Sequence, residues 1–163
     1  MTISAGSVAK IVVLNGGGLV GKTRFHKTAY FLEEFGVGFG FSFEYYHFGP
    51  YSKDLSVSLI DANALDFISE DFERTQQGAI YSVFKSSIDG GEDESDELRS
   101  KILAKLGDYD SVILELAATA DFLAKSGYEN NSWEETKNRK PEKSTDERIQ
   151  RSKELLEELN NLH

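Results

Sequence analysis

The segment Gly16-Gly-Gly-Leu-Val-Gly21-Lys22-Thr23, preceded by the apolar run Ile11-Val12-Val13-Leu14, divides the folds open to this chain into two classes. A glycine, four residues and then Gly-Lys-Thr is the spacing of a phosphate-binding loop. Glycines let backbone N–H groups approach phosphates, Lys22 would neutralise charge and Thr23 would ligate Mg²⁺. That chemistry needs the loop at the end of a central strand of a parallel sheet, with a neighbouring strand that carries an acid for the metal. The same letters also describe a helix, a glycine-rich turn that allows φ > 0, and a second helix capped at Thr23. The remainder of the chain decides between them.

Residues Ser7 to Asn15 fit either a strand or a short buried helix, because a brief apolar run does not separate the two. From Arg24 onward, Phe25, Ala29, Phe31, Leu32 and Phe35 share a helical face, with Thr23 as N-cap and Gly36 as C-cap. The aromatic, nearly alternating run Phe41 to Phe48 predicts a strand that stops at the turn Gly49-Pro50, with Tyr45 and His47 on one face and Tyr46 and Phe48 on the other. Ser52 then stands at an N-cap position before a helix whose apolar face is Leu55, Leu59, Ile60, Ala62 and Leu65. Phe67 to Arg74 and Ala79 to Phe84, joined by Thr75-Gln-Gln-Gly78, read as a β-hairpin.

Beyond it the pattern is helical over 97–106, 111–125, 133–139 and 144–162, with Pro141 separating the last two helices. The one acid positioned for a phosphate-loop metal is Glu115, and the apolar spacing around it favours a helix. A parallel α/β sheet is therefore not predicted. The expected fold is α+β and mostly helical, with a winged-helix-like front half containing a small antiparallel sheet or hairpin, followed by a helical C-terminal half. Residues 1–163 suffice for one domain, in which the acidic loop at about 89–97 joins the halves.

The formal net charge of −10 opposes the counterion release that drives non-specific nucleic-acid binding, so nucleic acid is not the expected partner. A winged-helix DNA binder would have to gather Lys10, Lys22, Arg24 and Lys27 into one basic patch. The run Asp89 to Glu97 holds six acids and no base, as expected of a solvated loop that leads into a helix, and an acidic patch for a basic partner is the alternative reading. With no cysteine there is neither a disulfide nor cysteine-ligated zinc, and the chain fits a reducing compartment. No apolar segment approaches the roughly 20 residues that cross a bilayer. The N-terminus lacks a signal-peptide pattern. A cytoplasmic protein without membrane attachment is expected.

His26, His47 and His163 are scattered and no pair has helical zinc-site spacing, so no metal site is expected. Ser52 lies outside a Gly-x-Ser-x-Gly elbow. No nucleophile stands out, and neither catalysis nor a cofactor is predicted. The aromatic cluster from Tyr45 to Ser52 remains the most distinctive feature, since one of its faces can pack in the core and leave the other to a partner.

Three blocks carry a resemblance that covers about Val8 to Leu162. The first is Gly-Lys-Thr-Arg24-Phe-His-Lys27-x-x-Tyr30-Phe-Leu. The second is Phe43-x-Tyr45-Tyr46-His47-Phe-Gly49-Pro50-Tyr51-Ser52-x-x-Leu55, and the third is Glu115-Leu-Ala-Ala118-Thr119-x-x-Phe-Leu. Together they resemble the Panacea antitoxin-domain (SocA-like) proteins and the related YwgA-like proteins. The chain departs from that pattern at His26, where a Gln is common, and in the acidic insertion after Ile88. The resemblance implies a mostly helical domain with a small sheet that acts by binding protein, as an antitoxin against a toxin or as an adaptor that hands a substrate to a protease. It implies no nucleotide function for the Gly-Lys-Thr segment. Arg24, Lys27, Tyr45, His47 and Tyr51 are the candidate recognition residues, with Gly49, Pro50 and Ser52 forming a structural turn. Gly16, Gly21, Lys22 and Thr23 matter chiefly for the nucleotide-binding alternative.

Overall fold

Apolar residues at positions 5, 8, 9 and 12 repeat with the spacing of one helical face, and the first element is a helix, α1 (Thr2–Leu14), that buries Ala5, Val8, Ala9 and Val12 together with Ile11. The structure is a computed structural model and describes residues 2–162. Gly16 and Gly17, both at positive φ, end α1 by donating their N–H groups to the Val13 and Val12 carbonyls. A short strand follows, β1 (Gly18–Val20), which the glycine-rich sequence does not announce. Helix α2 (Lys22–Glu34) starts directly after it. Its N-cap is Gly21 with φ 95° and no side-chain cap, so Thr23 lies inside the first turn instead of capping it. Gly36, at φ 78°, closes its C-terminus as expected.

The predicted strand over 41–48 is shorter than its alternation suggests. One oxygen of the Glu33 carboxylate accepts the N–H groups of Phe39, Gly40 and Phe41 at 2.7, 2.9 and 3.1 Å, which holds that stretch in a turn and removes those donors from any ladder. Only β2 (Glu44–Tyr46) is extended, and it pairs with β3 (Gly49–Tyr51) in a two-stranded hairpin. Pro50 sits inside β3, where a strand with a single partner tolerates the missing N–H. Ser52 caps α3 (Lys53–Ala64) by accepting the Leu55 N–H at 3.1 Å. The expected hairpin is β4 (Ser69–Arg74) with β5 (Ile80–Lys85). Strand β5 lies between β4 and β1, and all pairings are antiparallel. A helix, a strand, two helices and a two-stranded wing in this order make the front half winged-helix-like, with the β2–β3 hairpin inserted between its second and third helices.

The C-terminal half is helical: α4 (Asp96–Leu106), α5 (Ser111–Lys125), α6 (Ser132–Arg139) and α7 (Asp146–Asn160). Asp110 and Thr145 cap α5 and α7 through the N–H groups of Ile113 and Arg148. Helix α5 is buried from Ile113 to Ala120 and packs against α2, β3, α6 and α7, which makes it the spine of the molecule. Buried apolar side chains from each of α1 to α5 and α7 join in one continuous cluster. The fold is thus mostly helical α+β. In the acidic loop, Asp96 pairs with Lys10 at 2.9 Å, while Asp93 and Asp96 both pair with Arg99, whose side chain also donates to the Val37 carbonyl. Among the described residues no helix is long and apolar enough to cross a membrane.

Candidate functional site

The sequence Tyr46-His47-Phe48-Gly49 makes a tight turn between β2 and β3, and three other elements fix its backbone. Gly49 has φ 91° and lies so close to α5 that a Cβ there would overlap the buried Thr119 hydroxyl, so glycine is required both for its φ and for its lack of a side chain. From α2, the Lys27 ammonium donates to the Pro50 carbonyl at 2.9 Å and His26 Nδ1 accepts the Ser52 N–H at 3.1 Å. From the segment after α6, Lys140 donates to the His47 carbonyl at 3.2 Å.

Because Nδ1 of His26 accepts, the neutral ring carries its proton on Nε2, which faces Ser56 Oγ at 3.3 Å, and that hydroxyl lies 2.8 Å from the Tyr51 hydroxyl. Burial, reinforced by the charges of Lys27 and Lys22, pushes His26 down to about 3. This pair resembles a serine nucleophile with its base, but the ring nitrogen beside Ser56 is already protonated and the imidazole is a very weak base. The arrangement is structural.

A single carboxylate anchors the other side of the turn. Glu115, buried on α5, accepts Lys143 at 2.9 and 3.0 Å and Lys140 at 2.9 Å. Burial lowers Lys27 to about 8; the Glu115 charge opposes that shift, and Lys140 and Lys143 add to it. The one acid that the sequence offered to a phosphate-loop metal is therefore committed to two lysines.

The tip of the turn is exposed. Tyr46 and Phe48 are 49% and 52% accessible, although both are large and apolar. Beside them a cleft of about 390 Å³ opens between α2, the hairpin and α3, with walls formed by His26, Tyr46, Phe48, Tyr51 and Ile60. Three rings stack along one wall. His26 lies 4.4 Å from Tyr51 at an interplanar angle of 16°, and Tyr51 lies 5.0 Å from Tyr46 at 28°. A concave, mainly apolar pocket with a few converging polar groups is the usual form of a binding site.

Of the residues the sequence proposes, Lys27, His47 and Tyr51 meet at this cleft. Tyr45 faces away, tilted against Phe122 and beneath the Arg139 guanidinium at 4.7 Å. Arg24 is also elsewhere, donating to the Leu106 and Tyr109 carbonyls at 3.2 and 2.6 Å and so tying α2 to the end of α4. The turn expected at Gly49, Pro50 and Ser52 lies earlier, at His47 and Phe48: Gly49 and Pro50 open β3, where Pro50 pairs with Tyr45, and Ser52 caps α3. The structure adds Tyr46, Phe48, Ile60, Lys140 and Lys143. For the first two, the alternation of the strand indicated two faces without indicating which one is buried. The two lysines lie some ninety residues away in sequence, and no local signal connects them to the turn.

In the glycine-rich segment, three of the N–H groups that a phosphate would need are already bonded, those of Gly16 and Gly17 to α1 and that of Gly21 to the Ser82 carbonyl at 2.8 Å. Lys22 lies 3.6 Å from Glu70, and Thr23 lines the cleft beside it. Lys10, Arg24 and Lys27 are likewise engaged separately with Asp96, backbone carbonyls and Pro50. The surface a winged helix would turn to DNA instead exposes Val57 and Ile60 on α3 and Phe72 and Ile80 on the wing, next to Asp71 and Glu73. Among the described residues no group of three or more His, Asp or Glu is placed to hold a metal ion, and His163 lies outside them. Comparison with protein-family models, with curated proteins and with solved structures finds no match to this chain.

Proposed function

We propose that the protein is a non-catalytic interaction module that recognises a partner protein through the Tyr46-His47-Phe48 turn and the cleft beside it. The observation that carries this reading is the exposure of two large aromatic side chains on a backbone held from α2, α5 and the segment after α6. Aromatic anchors dominate the energetics of protein interfaces. A turn fixed before binding loses little conformational entropy when it docks. The resemblance of three sequence blocks to Panacea-like proteins favours an antitoxin or a proteolytic adaptor, with a toxin or a protease substrate as partner, acting in the cytoplasm without a cofactor.

The test is quantitative capture from native lysate by the wild-type protein and by a Tyr46→Ala/Phe48→Ala variant with an unchanged melting temperature. One stoichiometric partner that is lost in the variant supports the reading. Equal capture by both proteins contradicts it.

A further inference from the structure

The turn is bordered by charge opposite in sign to that of the chain as a whole. Residues 137–153 carry seven basic and three acidic side chains in a protein whose formal net charge is −10. The fold brings part of this basic segment against the turn. Lys140 and Lys143 converge on Glu115, so one buried acid serves two lysines, while Lys27 on α2 donates to the Pro50 carbonyl. Each ammonium has three donors, and the Glu115 carboxylate together with the His47 carbonyl that Lys140 reaches supplies fewer acceptors than the two lysines have donors.

Next to this cluster is a second cavity of about 340 Å³, lined by His47, Pro141, the three cations Arg139, Lys140 and Lys143, and one acid, Glu142. His47 lines both this cavity and the aromatic cleft, so the two lie on either side of one turn. Lys143 also lies 5.0 Å from the centre of the exposed Phe48 ring, which joins the charged and aromatic surfaces.

We propose that this cavity receives a carboxylate of the partner, and that the recognised segment is acidic with an apolar side chain that enters the neighbouring cleft. The inference rests on the reading of the turn as a docking surface and adds the chemistry of the segment that docks. Charge complementarity chooses this occupant. An acidic segment is repelled by most of this protein's surface and attracted where the basic residues face the turn, which fixes its position and orientation. A basic segment would meet Arg139, Lys140 and Lys143, which outnumber the single acid of the lining, Glu142.

The probe is an N-acetylated pentapeptide amide with four glutamates around a central phenylalanine, titrated into the ¹⁵N-labelled full chain and followed by NMR. Its counterpart has lysines in place of the glutamates. The acidic peptide is expected to shift the amide resonances of His47, Phe48 and Lys143 in a saturable way, and the basic peptide is not. Lys143→Gln should weaken the acidic peptide at least about fivefold, whereas Lys153→Gln, on α7 beside Trp133, should leave it unchanged. The proposal is overturned if the basic peptide binds as well, if both lysine variants weaken binding equally, or if no shift appears by about 10 mM, well above the range of specific recognition. If the Tyr46→Ala/Phe48→Ala variant loses its partner while the acidic peptide shows no response, the docking surface stands and its charge assignment falls.

Discussion

The Thr119 hydroxyl occupies the space that a side chain on Gly49 would need, so the hairpin turn and the central helix α5 meet where neither has room to change. Gly49 is also at φ 91°. Gly49→Ala should therefore cost about 2–4 kcal/mol, one part from the left-handed backbone and the other from the overlap. Thr119→Ala in the same chain should recover the second part only. A double-mutant cycle by urea denaturation checks this, and strictly additive losses would show that the two residues are not in conflict.

His26 predicts a specific acid sensitivity. Its folded-state pKa, near 3, lies below the unfolded value of about 6.5, so the unfolded chain binds the extra proton between those limits. Stability should fall as pH falls through this window, by about 1.4 kcal/mol per pH unit from this group alone. His26→Gln, which can still accept the Ser52 N–H, should remove that slope. The measurement is the difference between wild-type and variant unfolding free energies from pH 7 to pH 4. Lys27 acts in a higher window: with its pKa lowered to about 8, stability from this group rises as pH rises from about 8 towards its unfolded value, and Lys27→Met abolishes the rise.

Arg24 separates a structural cation from a recognising one. Its guanidinium donates to two carbonyls near the C-terminal end of α4, and it does not line the cleft beside the turn. Arg24→Met should lower stability by about 1–3 kcal/mol through the lost charge-assisted hydrogen bonds while leaving partner capture intact below the melting temperature. Lost capture in a folded Arg24→Met protein would place Arg24 on the recognition surface.

For the glycine-rich segment, the bonded N–H groups of Gly16, Gly17 and Gly21 predict that millimolar ATP or GTP with Mg²⁺ leaves the melting temperature unchanged. An upward shift that disappears in Lys22→Ala would restore the nucleotide reading.

Much of the fold was legible because its signals are local. Ser52 marked the start of α3, Gly36 the end of α2, and the turn at Thr75–Gly78 the wing. What escaped depended on distant partners. β1 is only Gly18–Val20 and extends because β5 pairs with it. The strand at 41–48 is cut short by Glu33, whose side chain takes three backbone donors. At the site, Lys27, His47 and Tyr51, singled out in the sequence, line one cleft, yet the period of two cannot say which face of a strand meets the core. Tyr45 turned inward towards Phe122 and Arg139, and Tyr46 turned outward.

Docking of a partner by Tyr46 and Phe48 from a preformed turn, as proposed, makes both rings central to affinity. The most direct measurement is the affinity of the captured partner for wild-type protein and for Tyr46→Ala/Phe48→Ala, by calorimetry at equal folded concentration. A loss of at least about 100-fold is expected when two aromatic anchors are removed. An affinity within about threefold of wild type would contradict it, because contacts of that size lie at the rim of an interface and not at its centre.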